Sequence, residues 1–123
     1  MINVYTQVIN GRTIALAFDV QAWVDVEEHF GGIAEMEEKL ERLDARFALL
    51  EIMARGGARK RPELPGKLER DWLINNATPH EVMELYKAAK VNMIANFRGE
   101  EVRKDDKPVD VVLEELESKN AQS

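Results

Sequence analysis

Fifteen consecutive residues, Phe18 to Gly32 (FDVQAWVDVEEHFGG), carry a helix start, an apolar face and a helix stop, and they constrain the fold more than any other stretch. Asp19 is placed as an N-cap, its carboxylate accepting from the unpaired amides of a first helical turn. Gly31 supplies the left-handed residue that closes a helix. Between them the spacing puts Val20, Trp23, Val24 and Phe30 on one broad stripe with Val26 at its margin, while Asp25 and Glu28 face outward. This predicts one amphipathic helix whose tryptophan side packs into a core.

The residues before it read as a β-hairpin. Two runs rich in Val, Ile, Thr and Tyr flank Asn10-Gly11, a pair suited to the positive φ angles of a tight turn. Two registers are open. A two-residue turn pairs Val8 with Thr13 and Val4 with Ala17; a three-residue loop with a bulge pairs Val8 with Ile14 and Val4 with Phe18. Placing the apolar residues on one face favours the second. An isolated hairpin is marginal in water, so the Ile14, Leu16 and Phe18 face is expected to pack on helices.

After Gly32, apolar residues recur at Ile33, Met36, Leu40, Leu43, Phe47, Leu50 and Ala54, the three-and-four spacing of a packing seam. The seam fits one helix of about 22 residues, with Glu35–Lys39 and Glu38–Arg42 pairs in support. It also fits two helices, with Asp44 as a new N-cap and a break near Leu43 to Ala45, and the wider apolar face after Asp44 favours the break. The heptad spacing is more simply intramolecular packing than a coiled-coil dimer. Gly56-Gly57 is expected to end this segment, and residues 58–67 (ARKRPELPGK) to form a loop. Leu68 to Ile74 then reads as a short helix with Leu68, Trp72 and Leu73 inward, stopped at Asn75-Asn76. Thr78-Pro79-His80-Glu81 is a capping box with proline at the first helical position, so a helix is predicted over Pro79 to Phe97, closed by Gly99. Its stripe is Val82, Tyr86, Ala89, Met93 and Phe97, broadened by Met83, Leu85 and Ile94.

The fold class that follows is mainly α, of the α+β kind: an N-terminal β-hairpin packed on a bundle of about four to five helices, in one domain over residues 1–98. Residues 99–123 differ in kind. They are charged, contain Pro108, and are expected to be a mobile acidic tail. Within the tail, Val109, Val112, Leu113 and Leu116 share one narrow face of a short helix over about 109–118, which either docks on the domain or folds on a partner.

Composition narrows the function. At 123 residues the chain buries roughly two thirds of its unfolded surface without staples. It has no cysteine, which removes thiolate catalysis, zinc–thiolate sites and disulfides together and makes the cytoplasm the default compartment. No apolar run approaches the roughly 18 residues of a membrane span, and MINVYTQVIN lacks the features of an export signal. A net charge of −6 opposes general attraction to nucleic acid or anionic membranes. The charge is blocky, however: residues 55–70 hold six basic and two acidic side chains, residues 19–44 nine acidic and two basic. The basic stretch, with Trp72 close behind, leaves a small nucleic-acid-binding regulator as the alternative reading, although no basic recognition helix accompanies it.

No catalytic constellation is visible. His29 and His80 sit outside any metal-ligand spacing, the glutamates read as solvated helix faces, and Gly56-Gly57-Ala58-Arg59-Lys60 lacks the Walker spacing of a phosphate cradle. No catalytic residue, metal site or cofactor is therefore expected, and the chain reads as a non-enzyme.

Taken in order, VINGRTIALAFD, AWVDVEEHFGG, an acidic helix, ALLEIMARGGAR and TPHEVMELYKAAKVNMI resemble the tail assembly chaperone family of long-tailed, siphophage-type phages and prophages. In that family a strand pair ending in Phe-Asp precedes a helix with an acidic residue, an aromatic and a glycine, here Phe18-Asp19, Glu27 and Phe30-Gly31. The likeness covers about Val4 to Phe97, with residues 59–67 as an elaboration. The resemblance implies a non-catalytic protein of the host cytoplasm. Such a protein binds the tape-measure protein, keeps its helical segments soluble and helps tail-tube subunits assemble around it. Members of that family are often made in two lengths, the longer by a ribosomal frameshift, and Ser118-Lys119-Asn120 is compatible with a slippery heptamer. Self-association is allowed for; nucleic acid and membrane are not expected as partners. The client surface expected is either the acidic seam at Ile33, Met36, Leu40 and Leu43 or the tail face at Val109, Val112, Leu113 and Leu116.

Overall fold

The computed structural model of the chain describes residues 2–64 and 67–101. Among them it shows a two-stranded antiparallel hairpin, β1 (Tyr5–Ile9) and β2 (Arg12–Leu16), followed by α1 (Val20–Phe30), α2 (Ile33–Lys39), α3 (Leu43–Lys60), α4 (Arg70–Asn76) and α5 (Pro79–Arg98). The expected tail from residue 102 onward, with its helix over 109–118 and the four residues Val109, Val112, Leu113 and Leu116, lies outside the described residues.

The hairpin corrects the expected register. Val8 pairs with Thr13 and Ile9 with Arg12, leaving a two-residue turn in which Asn10 (φ 47°) and Gly11 (φ 78°) both take positive φ. The expectation assumed that β2 buries one face. It buries both, since every residue from Ile14 to Phe18 is inside, so burial cannot choose between registers and the turn chemistry of Asn-Gly does.

The second face of β2 is covered by α3 at backbone distance, and this overturns the expected end of α3. Gly56 and Gly57 do not stop the helix, which runs on to Lys60. They let it approach the strand: a Cβ at Gly57 would overlap the Ala15 carbonyl oxygen and lie 2.9 Å from the Ala15 Cβ. One at Gly56 would overlap the Ala17 carbonyl. The Ala17 amide in turn donates to the Met53 carbonyl of α3 at 3.0 Å, tying the strand end to the helix. The other layer is α5, which packs on β1 and α3. There Asn92, almost fully buried, accepts from the Phe18 amide (2.9 Å) and donates to the Asn3 carbonyl (2.8 Å), so both ends of the hairpin are fastened to one side chain. Leu16, Val26, Met36, Leu49, Leu50, Met53, Leu73 and Leu85 are essentially inaccessible and form one continuous core.

Several boundaries agree with expectation and some move. The seam does break into two helices, but earlier than expected: Leu40 is the C-cap of α2 and Arg42 the N-cap of α3, so Leu43 to Ala45 are already helical. Asp44 is therefore not the cap but a first-turn residue. Its carboxylate accepts from the Ala45 amide and pairs with Arg42, a placement the helix dipole favours. Arg46 donates to the Leu40 carbonyl at 2.6 Å and stacks on Tyr86, closing the corner. The segment expected to be a loop from residue 58 is helical as far as Lys60. α4 starts two residues later than predicted and includes Asn75 and Asn76, whose amides donate to the Asp71 and Trp72 carbonyls.

The capping box of α5 is complete. Thr78 Oγ1 accepts from the Glu81 amide (3.1 Å), the Glu81 carboxylate accepts from the Thr78 amide (2.9 Å), and Gly99 closes the far end. Thr78→Ala should lower stability by about 1 kcal/mol in urea titration, and an unchanged midpoint would show that the cap contributes nothing.

Candidate functional site

The arrangement that sets the site begins with Asp19. Its side chain caps α1 by accepting from the Ala22 amide at 2.8 Å, and it receives both arms of Arg59 from α3, Nε to Oδ2 at 2.8 Å and Nη2 to Oδ1 at 2.7 Å. The Arg59 hydrogen bonds, helped by the Ala22 amide, hold the Asp19 carboxyl below the usual carboxylate range against the opposing effect of burial. Two turns on, Asp25 reaches Arg55 at 3.8 Å. These contacts turn one edge of α1 toward α3 and so settle which apolar stripe goes inward.

It is not the expected one. Ala22, Val26 and Phe30, at spacing of four, are buried, whereas Val20 is 70 % exposed and Trp23 and Val24 are each 42 % exposed. Val26, expected at the margin, lies at the centre of the buried face. Phe97 of α5, expected inward, is 45 % exposed and meets Trp23 edge-on with ring centroids 5.0 Å apart, while its other side touches Phe18 at 5.2 Å. Val20, Trp23, Val24 and Phe97 thus form an outward apolar face on α1 and the end of α5. One turn further along α1, Glu27 and Glu28 are exposed, and no cation lies within ion-pair distance of either among the described residues.

The residues expected to meet a client are placed otherwise. Met36 and Leu40 are inside the core, Ile33 is half-buried against it, and only Leu43 is open, at 57 %. The α2 seam is therefore packing, not a continuous surface. The basic stretch 55–70 is spread over α3, the following loop and α4, with much of its charge met locally: Arg55 by Asp25, Arg59 by Asp19, Arg61 by Glu63 and Lys67 by Glu69, while Arg70 lies over the Phe47 ring. Gly56 and Gly57 face strand backbone, which leaves no room for a phosphate between them.

A cleft of ≈ 380 Å³ lies among the end of α1, the end of α2 and the start of α3, lined by His29, Phe30, Lys39, Arg42, Asp44 and Ala45. Arg42 is paired with Asp44 and His29 rests edge-on against Phe30. Among the described residues no three His, Cys, Asp or Glu side chains converge as a metal site, and no helix is long and apolar enough to cross a membrane.

Comparison with protein-family models, curated proteins and solved structures finds no match to this chain. The α1–α5 face was nonetheless latent in the sequence. Val20, Trp23 and Val24 at i, i+3 and i+4 compete with Ala22, Val26 and Phe30 at i, i+4 and i+8 for the inward side. Bulk favours the first set. The signal that could have decided is polar: Asp19 and Asp25 lie toward the side of the alanine stripe, and only a basic partner helix makes that side the inner one.

Proposed function

We propose that this protein is a non-catalytic tail assembly chaperone that binds the tape-measure protein in the host cytoplasm and assists assembly of tail-tube subunits around it. The observation that carries the reading is the outward face of Val20, Trp23, Val24 and Phe97. An aromatic pair framed by valines, held on rigid helices and bordered by charge, is the composition of a protein-binding surface and not of a reaction site. The order of hairpin, capped α1, acidic α2, glycine-bearing α3 and boxed α5 supports the same assignment through the family it resembles. The rival reading, a nucleic-acid-binding regulator using residues 55–70, is weakened because four of its six cations sit in ion pairs. Co-expression with a tape-measure protein is the test. Most of the client should move from the pellet to the soluble fraction and co-purify with this chain. A client equally insoluble with and without it rejects the reading.

A further inference from the structure

The outer face of α1 has an uneven layout. Its first half is apolar, with Val20, Trp23 and Val24, and the aromatic ring of Phe97 extends it sideways. Its second half is acidic, because Glu27 continues the same stripe four residues after Trp23 and Glu28 four after Val24. Val20 is largely open and Trp23, Val24 and Phe97 keep nearly half of their surface exposed, and among the described residues no cation lies within ion-pair distance of Glu27 or Glu28.

From this layout we infer that the face seats an amphipathic α-helix of a partner whose apolar stripe is followed, one turn on, by lysine or arginine. The inference rests on the client-binding reading above and names both the surface and the chemistry of what it holds. A helix laid along α1 would set its apolar residues against Val20, Trp23, Val24 and Phe97, with Trp23 as the central anchor. Its basic turn would meet Glu27 and Glu28. The complementary charge would fix direction, since the reversed helix brings its basic turn onto valines and leaves both glutamates facing apolar side chains.

Charge also separates this occupant from the two others at hand. The chain's own run Val109, Val112, Leu113 and Leu116 has helical spacing, but it is interleaved with Asp110, Glu114, Glu115 and Glu117, which would meet Glu27 and Glu28 as like charges. A second copy, with its α1 aligned antiparallel along the full length, would set the acidic half of each face against the apolar half of the other.

The test uses the full chain carrying Trp72→Phe, so that Trp23 is the sole tryptophan and its emission reports the face. The probes are three synthetic peptides of about 18 residues. One has leucine at i, i+3, i+4 and i+7 with lysines in the adjoining turn; the second has glutamates for those lysines; the third has serines for the leucines. The leucine–lysine peptide should shift Trp23 emission to the blue saturably. The other two should bind at least about tenfold more weakly, and Val24→Asp, a surface change that should leave the melting temperature unaltered, should weaken the first peptide by about tenfold. Glu27→Gln with Glu28→Gln should erase the preference for lysine over glutamate.

Equal binding of the lysine and glutamate peptides, or of the leucine and serine peptides, overturns the proposal. So does a Val24→Asp protein that binds as before. A red shift of Trp23 emission caused by Leu113→Asp without peptide would put the chain's own tail on the face. A concentration-dependent dimer abolished by Val24→Asp would put a second copy there. The two readings fail separately. A tape-measure protein kept soluble equally by the Val24→Asp chain retains the chaperone and rejects the surface; a face that binds the peptide in a chain that solubilises no client does the reverse.

Discussion

Gly57→Ala should lower the stability of this protein by about 3 kcal/mol, although the same change in an open helix would stabilise by about 1 kcal/mol through helix propensity. The sign is decided by what the new methyl group meets. It would overlap the Ala15 carbonyl oxygen and crowd the Ala15 Cβ at 2.9 Å, and neither is the tip of a flexible side chain that could swing aside. Relief requires α3 to move off β2, which lengthens the Ala17 to Met53 hydrogen bond and opens the packing of Leu49, Leu50 and Met53. For a domain of this size the loss corresponds to a fall in melting temperature of roughly 10–20 °C. Gly56→Ala should behave similarly against Ala17. Thermal melts followed by circular dichroism check both, and an alanine variant at Gly57 that melts with or above the wild type would show that α3 does not approach the strand this closely.

Asp19→Ala should cost about 2–3 kcal/mol, because it removes the N-cap of α1 and the two-armed ion pair with Arg59 at once. The loss is bounded because Arg59 is partly exposed and can return to water. Asp19→Asn keeps an acceptor for the Ala22 amide and should recover about 1 kcal/mol of it. The pH dependence separates charge from capping. With its carboxyl held below the usual range by the Arg59 hydrogen bonds, Asp19 stabilises the fold above its unfolded pKa of about 3.9. That contribution is lost as pH falls through the lower folded-state pKa. The stability gap between wild type and Asp19→Asn, measured by urea titration, should thus be constant from pH 7 to about 5 and close below about 4. A gap that persists unchanged to the lowest pH at which both proteins fold would mean the ion pair is not its source.

Much of the architecture could be read from punctuation. Asn10-Gly11 marks a turn, Asp19 and Gly31 bracket α1, Thr78-Pro79-His80-Glu81 opens α5 and Gly99 closes it. Each of these acts through its own backbone and its immediate neighbours, so three or four residues contain the whole cause. The glycine pair in α3 shows where such reading stops. A glycine doublet after an apolar run has two physical uses, ending a helix or letting it touch another backbone, and only the presence of β2 against Gly56 and Gly57 selects the second.

The same limit governed the candidate site. The seam at Met36 and Leu40, one of the two expected client surfaces, is core because α1 packs on α2; the stripe at Val20, Trp23 and Val24 has the spacing of core and is partly surface. Periodicity reports that a helix has an apolar side and cannot report how the helix is rotated about its axis when two stripes compete.

By itself, then, the sequence determined the elements, their order and the caps of α1 and α5, since these depend on contacts within a few residues along the chain, and the Asn10-Gly11 chemistry determined the two-residue turn against the register that apolar patterning favoured. The tertiary structure alone decided the depth at which α3 meets β2, the rotation of α1 and hence which aromatic residues face outward. Those depend on residues forty positions apart, Asp19 with Arg59 and Ala15 with Gly57, whose meeting no local pattern encodes.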